Sequence, residues 1–163
     1  MGAGERRPRS TGENVAEQTL WPSAPLVLVA EDSPLNQALA IRVLERCGCR
    51  AEVAASGVEA LAMLASRRYD AVLMDCQMPQ MDGYTATAEV RRREGGDRRT
   101  PIIALTAYAL DGNRERCIES GMDDYISKPV HRDLLLETLR RWLPPSGGVS
   151  RASRTGAGPS LAG

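Results

Sequence analysis

The 163-residue chain has no phenylalanine, one histidine and one lysine. With no Phe and only two Trp and four Tyr, a core here must be packed by aliphatic side chains. His131 stands alone, and Cys47, Cys49, Cys76 and Cys117 show no C-x-x-C spacing, which argues against a Cys/His metal cage. The cysteines are read as reduced core fillers, as in a cytoplasmic protein. No apolar run approaches the ~20 residues of a membrane helix. The N-terminus lacks the apolar stretch of a signal peptide. Formal net charge is zero, so no direct nucleic-acid binding and no membrane contact are expected of this chain.

What is present suffices for one domain, since hydrophobic residues make up 42%. Residues 1–23 and 144–163 are rich in Gly, Pro, Ser and charge and lack a sustained period. They are expected to be disordered tails, because they cannot bury enough surface to offset ordering entropy. The folded unit is expected over 24–143. Within it, apolar runs alternate with amphipathic stretches. Strands are expected at Leu26–Ala30, Arg50–Ala54, Ala71–Met74, Pro101–Leu105 and Asp124–Ser127. Helices are expected from Ser33-Pro34 to near Gly48, and at Gly57–Ala65, Tyr84–Arg93, Asp111–Ser120 and Arg132–Trp142. Ser33-Pro34 supplies an N-cap and an N1 proline, and Gly48 and Gly121 stop helices. Five βα units with aliphatic strands imply an α/β doubly wound parallel sheet. Such sheets carry their sites at the carboxyl ends of the strands.

At those ends the sequence places Glu31 and Asp32 after the first strand and Asp75 after the third. Thr106 follows the fourth and Lys128 the fifth. Twenty of the 21 basic residues are Arg and only Lys128 is Lys, a position where a compact point charge suits better than a planar fork. Three carboxylates at one edge repel each other and call for a hard cation such as Mg²⁺. The cation and Lys128 together would neutralise a phosphoryl group in transfer, with Asp75 as nucleophile and Thr106 bonding a phosphate oxygen.

The segments VLVAEDSPLNQ, DAVLMDCQMPQMDGY, PIIALTA and GMDDYISKPV resemble the receiver domains of two-component response regulators. The resemblance covers about residues 25–143 and is most like receivers of hybrid sensor histidine kinases. It implies a flavodoxin-like fold with strand order 2-1-3-4-5 and five helices. It implies a phosphoacceptor at Asp75 and Mg²⁺ held by Glu31, Asp32, Asp75 and the backbone carbonyl of Gln77. Phosphate contacts from Thr106 and Lys128 follow from it, as does a switch formed by Thr106 and the aromatic Tyr125, read out on the fourth helix, fifth strand and fifth helix. The implied partner is a histidine kinase or histidine phosphotransfer protein. The implied state is a monomer or a weak phosphorylation-dependent dimer. Beyond self-catalysed phosphoryl acceptance and slow autodephosphorylation, no enzymatic activity is expected.

Gln77 and Tyr108 lie two residues past Asp75 and Thr106; they either tune phosphoryl loss or are ordinary loop residues. Cys76 is expected in packing and His131 at a helix entry. Arg91-Arg92-Arg93 with Arg98-Arg99 is read as a solvated set complementing a helix end. One rival is an aspartyl-phosphate phosphatase of the haloacid dehalogenase type, which needs a second acid where Gln77 stands. Another is an interaction module with a dead site, although none of the acids nor the lysine is missing.

Overall fold

The computed structural model describes residues 21–96, 98–107 and 111–143. In chain order it comprises β1 (Leu26–Ala30), α1 (Pro34–Arg46), β2 (Arg50–Ala54), α2 (Gly57–Ser66) and β3 (Ala71–Asp75). These are followed by α3 (Gly83–Glu94), β4 (Ile102–Thr106), α4 (Asp111–Ser120), β5 (Asp124–Ser127) and α5 (Arg132–Trp142). All strand pairs are parallel, in the order β2-β1-β3-β4-β5. The expected flavodoxin-like topology is therefore present.

The strand sequences explain their places. In β1, β3 and β4 every residue is buried, because both faces of a central parallel strand are covered. Alternate residues point to opposite faces. Leu28, Val72, Met74 and Ile102 pack under α2, α3 and α4, while Val27, Val29, Leu73 and Ile103 pack with Leu44 of α1 and Leu135 and Leu139 of α5. The edge strand β2, RAEVA, buries only Ala54 fully, which is why it reads as mixed. Caps fix the helix starts. Ser33 Oγ accepts from Asn36 N at 3.4 Å and Ser56 Oγ from Glu59 N at 3.1 Å. Asp82 Oδ1 accepts from Thr85 N at 2.8 Å.

Several boundaries shift from the sequence expectation. Asp75 is the last residue of β3, paired with Leu105, and Thr106 is the last of β4, paired with Ser127. The ladder thus carries each polar side chain to the edge on the strand itself. β4 begins at Ile102, not at Pro101, and α3 begins at Gly83 because Asp82 is its cap. A further shift is at the start of the domain. Trp21 falls in the expected tail, yet it is 4% exposed, and its Nε1 donates to Leu143 O at 3.0 Å. A lone Trp in a polar segment carries no period, so its docking was invisible in sequence. Pro22 and Ser23 are exposed, and residues 1–20 and 144–163 of the expected tails lie outside the described residues. Among the described residues no helix is long and apolar enough to cross a membrane.

Candidate functional site

The sheet holds the site residues by their backbones. Past β1, Glu31 N donates to Ala54 O at 3.0 Å. Past β3, Cys76 N donates to Leu105 O at 3.1 Å. Past β5, Lys128 N donates to Thr106 O at 2.7 Å. Each strand end therefore presents its polar side chain at one carboxyl edge, as the sequence predicted. Lys128 Nζ lies 2.8 Å from Glu31 Oε2 and 3.1 Å from Asp75 Oδ2. Glu31 Oε1 accepts from Ser33 N at 3.0 Å, and Asp75 Oδ1 from Gln77 N at 3.1 Å. Glu31 and Asp75 are 1% and 4% exposed, whereas Asp32 is exposed. A carboxylate oxygen from each of the three acids lies within 4.8 Å of the others.

Burial disfavours both buried carboxylates, but their partners differ. For Glu31, burial is outweighed by Lys128 and the Ser33 N–H, and its carboxyl is held below the usual range. For Asp75, burial wins over the Gln77 N–H and Lys128, with the Glu31 charge adding to the upward push. Burial also opposes the Lys128 charge, yet Glu31 and Asp75 raise its pKa on balance. One ammonium is thus shared by the two buried acids, with Asp32 close by, and Asp75 is the less stabilised of the buried two. An oxygen-only donor set with excess negative charge fits a hard divalent cation such as Mg²⁺.

Gly83 closes the site from behind. A Cβ there would lie 2.2 Å from Asp75 O, so any larger residue would push β3 or α3 away. Beside Asp75 a cleft of about 430 Å³ is lined by Gln77, Met78, Tyr84, Thr106, Asn113 and Arg116. The Arg116 guanidinium sits 4.2 Å over the Tyr84 ring and 3.9 Å from Asp82. This cleft wall was missed in sequence. Arg116 belongs to no motif, and only the Asp82-Gly83 pair hinted at a tight turn there.

The other expected residues fall as follows. Thr106 is 3% exposed at the cleft. Tyr125 is half-buried on β5, with Arg114 6.0 Å over its ring. Gln77 is exposed, and Tyr108 lies outside the described residues. Cys76 is buried, and burial pushes its thiol up to about 12, in keeping with a packing role. His131 caps α5 by position but with no side-chain cap bond. The arginine run differs in one member. Arg91 has a side chain only 14% exposed, in an ion pair with Asp123, because α3 turns it under the sheet instead of toward solvent.

Comparison with known proteins places this geometry in a family. The Response regulator receiver domain family matches residues 27–140. The hybrid signal transduction protein dokA of Dictyostelium discoideum is 45% identical over 117 residues, covering 72% of this chain and 7% of that protein. The receiver domain of a Pseudomonas aeruginosa sensor histidine kinase is 47% identical with a TM-score of 0.67. The match covers 74% of this chain and 98% of that one, and the structure has a magnesium ion coordinated in its active-site cleft. The Saccharomyces cerevisiae receiver domain of Ssk1, crystallised with the histidine phosphotransfer protein Ypd1, gives a structural match 28% identical with a TM-score of 0.66, covering 74% of this chain and 89% of that one. The chain spans only 4% to 15% of the length of the curated relatives named with it, which are mostly histidine kinases. The chain belongs to the response regulator receiver domain family.

Proposed function

We propose that the chain accepts a phosphoryl group on Asp75 from a phosphohistidine, in a Mg²⁺-dependent phosphorelay step. The observation that carries this reading is the imbalance of three carboxylates against one ammonium around a nearly buried aspartate. Glu31, Asp32, Asp75 and the carbonyl of Gln77 would hold the Mg²⁺. When bound, it offsets the negative charge of the acids and of the incoming phosphoryl group.

The chain's own residues do the rest. An Asp75 carboxylate oxygen attacks phosphorus, an O–P bond forms and the P–N bond to the imidazole breaks. The electron pair stays on that nitrogen, which takes up a proton. Lys128, held between Glu31 and Asp75, stands beside the oxygen that attacks and stabilises charge on the phosphoryl oxygens. The Gln77 N–H orients the Asp75 carboxylate. Thr106 lies at the cleft where a phosphate oxygen would arrive, and its hydroxyl donates to it. That movement favours a state in which Tyr125 fills the space behind Thr106 and the α4–β5–α5 surface changes. Gln77 stands where a phosphatase of the haloacid dehalogenase type needs a second acid, so we assign phosphoryl acceptance without turnover of monoesters.

The donor is a histidine kinase or histidine phosphotransfer protein. A cytoplasmic setting suits four cysteines that are all buried and reduced. We place the functional unit over about 21–143, flanked by tails, as a monomer or a weak phosphorylation-dependent dimer.

Intact mass with acetyl phosphate and Mg²⁺ tests this. One phosphoryl group should add to the wild type, none to Asp75→Asn, and much less to Asp32→Ala. Equal labelling of Asp75→Asn would sink the assignment, and steady release of phosphate from monoesters would favour the phosphatase.

A further inference from the structure

We propose that a second cleft, at the opposite edge of the sheet, docks an acidic protein segment presenting one bulky apolar side chain. The cleft lies between the carboxyl ends of α2 and α3 and has a volume of about 280 Å³. Leu61, Leu64, Val90 and the Tyr69 ring form its floor, and Arg67, Arg68, Arg93 and Arg98 stand around it. Arginines at helix ends are commonly solvated, so what matters is how each is employed. Arg67 pairs with Glu52 and Arg93 with Glu89. Among the described residues Arg98 donates to the backbone carbonyl of Tyr69 alone, at 3.2 Å. Among the described residues Arg68 has no acidic partner. Two guanidiniums thus stand over an apolar floor with no carboxylate of their own among the described residues.

Size and charge select the occupant. The volume lies at or below the roughly 300–1,000 Å³ of small-molecule sites and has room for one large side chain. The flanking arginines then call for carboxylates on either side of it in the bound segment. A nucleic-acid backbone is disfavoured because it carries no aliphatic side chain to fill a floor made of Leu61, Leu64 and Val90. A membrane is disfavoured because the apolar groups are recessed between the helices. The cleft is at the amino edge of the strands, so a bound segment leaves Asp75 open to its donor. The proposal stands independently of the phosphoryl reading.

The test is an amide NMR titration of the full chain with the peptide acetyl-Asp-Glu-Asp-Leu-Asp-Glu-Asp-amide. Shifts should concentrate at Leu64, Tyr69, Val90 and Thr100. Replacing the peptide Leu by Gly should weaken binding at least fivefold, as should Arg68→Glu or Arg98→Glu. Both positions are exposed, so these variants should keep the wild-type spectrum elsewhere. The proposal is overturned by absence of shifts at millimolar peptide, or by shifts scattered over basic residues that ignore the Leu. It is also overturned if an oligonucleotide or anionic phosphatidylserine vesicles of matched charge bind the same arginines more tightly.

Discussion

At the amino edge of the sheet, Arg91 donates to Glu94 at 2.7 Å, to Asp123 at 2.7 Å, and to the carbonyls of Thr100 and Gly121 at 2.9 and 2.8 Å. Asp123, its side chain 4% exposed, also accepts from Ile102 N at 2.9 Å and Arg99 Nε at 2.8 Å. At the carboxyl edge, Lys128 is bonded to Glu31 and Asp75, with Asp32 close by. Both edges bury charge, but the first matches each acid with a guanidinium while the second leaves acids over. A matched cluster ties loops together: here it joins α3, the approach to β4 and the turn before β5. An unmatched one costs stability and is explained by something that arrives later, a cation and a phosphoryl group. Burial alone does not separate structural from functional charge; the balance of partners does.

The largest expected effect tests the matched edge. Asp123→Ala takes from Arg91 one of its two carboxylates and from the Ile102 N–H its acceptor, and breaking one side of a buried pair costs about 3–5 kcal/mol. Urea unfolding should show a loss near that size, while labelling at Asp75 by acetyl phosphate persists under native conditions. A loss confined to labelling, with stability intact, would reverse the roles given to the two edges.

A pH experiment asks whether burial acts alike at both edges. Burial pushes the Cys49 thiol, at the amino edge, and the Cys76 thiol, at the carboxyl edge, up to about 12. In the unfolded chain a thiol ionises near 8.5. The unfolded state therefore releases protons first as pH rises. The stabilising contribution is complete below about pH 8.5 and is lost on the way to about 12. Between pH 7.5 and pH 10 the loss should be on the order of 2 kcal/mol for each of the two thiols. Cys49→Ala and Cys76→Ala should each flatten the slope by similar amounts. A slope removed by one variant alone would mean that location, and not desolvation, sets it.

At the unmatched edge the sign inverts. Asp75→Asn removes a charge that burial and Glu31 disfavour, so without Mg²⁺ it should raise the urea midpoint of unfolding. Mg²⁺ should then raise the unfolding midpoint of the wild type more than that of the variant, since binding to the folded state adds about 1.4 kcal/mol per tenfold excess over Kd. Urea titrations with and without Mg²⁺ measure both. A destabilised variant would mean that the acids at this edge are already balanced.

The sequence made some of these features legible and hid others for a physical reason. Strand identity and strand ends are local. VLVA, VLM and IIAL announce buried parallel strands, and the polar residue that ends each run, Glu31, Asp75 or Thr106, is already at the site. The start of α1 was legible from Ser33-Pro34. What a charged side chain pairs with is not local. Arg91 and Asp123 meet across 32 residues, so Arg91 looked like its solvated neighbours Arg92 and Arg93. Trp21 meets Leu143 across 122 residues and looked like tail. Arg116 gained meaning only when α4 laid it over Tyr84.

The smallest expected effect concerns the charge cluster that neither edge buries. Glu89 on α3 accepts from Arg92 Nε at 3.0 Å and Arg93 Nε at 2.9 Å, and these bonds hold its carboxyl down at about 2. The number of partners resembles that of Asp123. The setting does not, because the Arg92 and Arg93 side chains are 71% and 48% exposed. Water competes for every one of these bonds, and ordering two long side chains offsets what the ions gain. Glu89→Gln should therefore leave the urea midpoint at neutral pH unchanged within error, at low salt and at high salt alike. Asp123→Ala should keep its full deficit at both. If Glu89→Gln lowered the midpoint as far as Asp123→Ala does, partner count without burial would suffice, and the contrast between the edges would lose its physical basis.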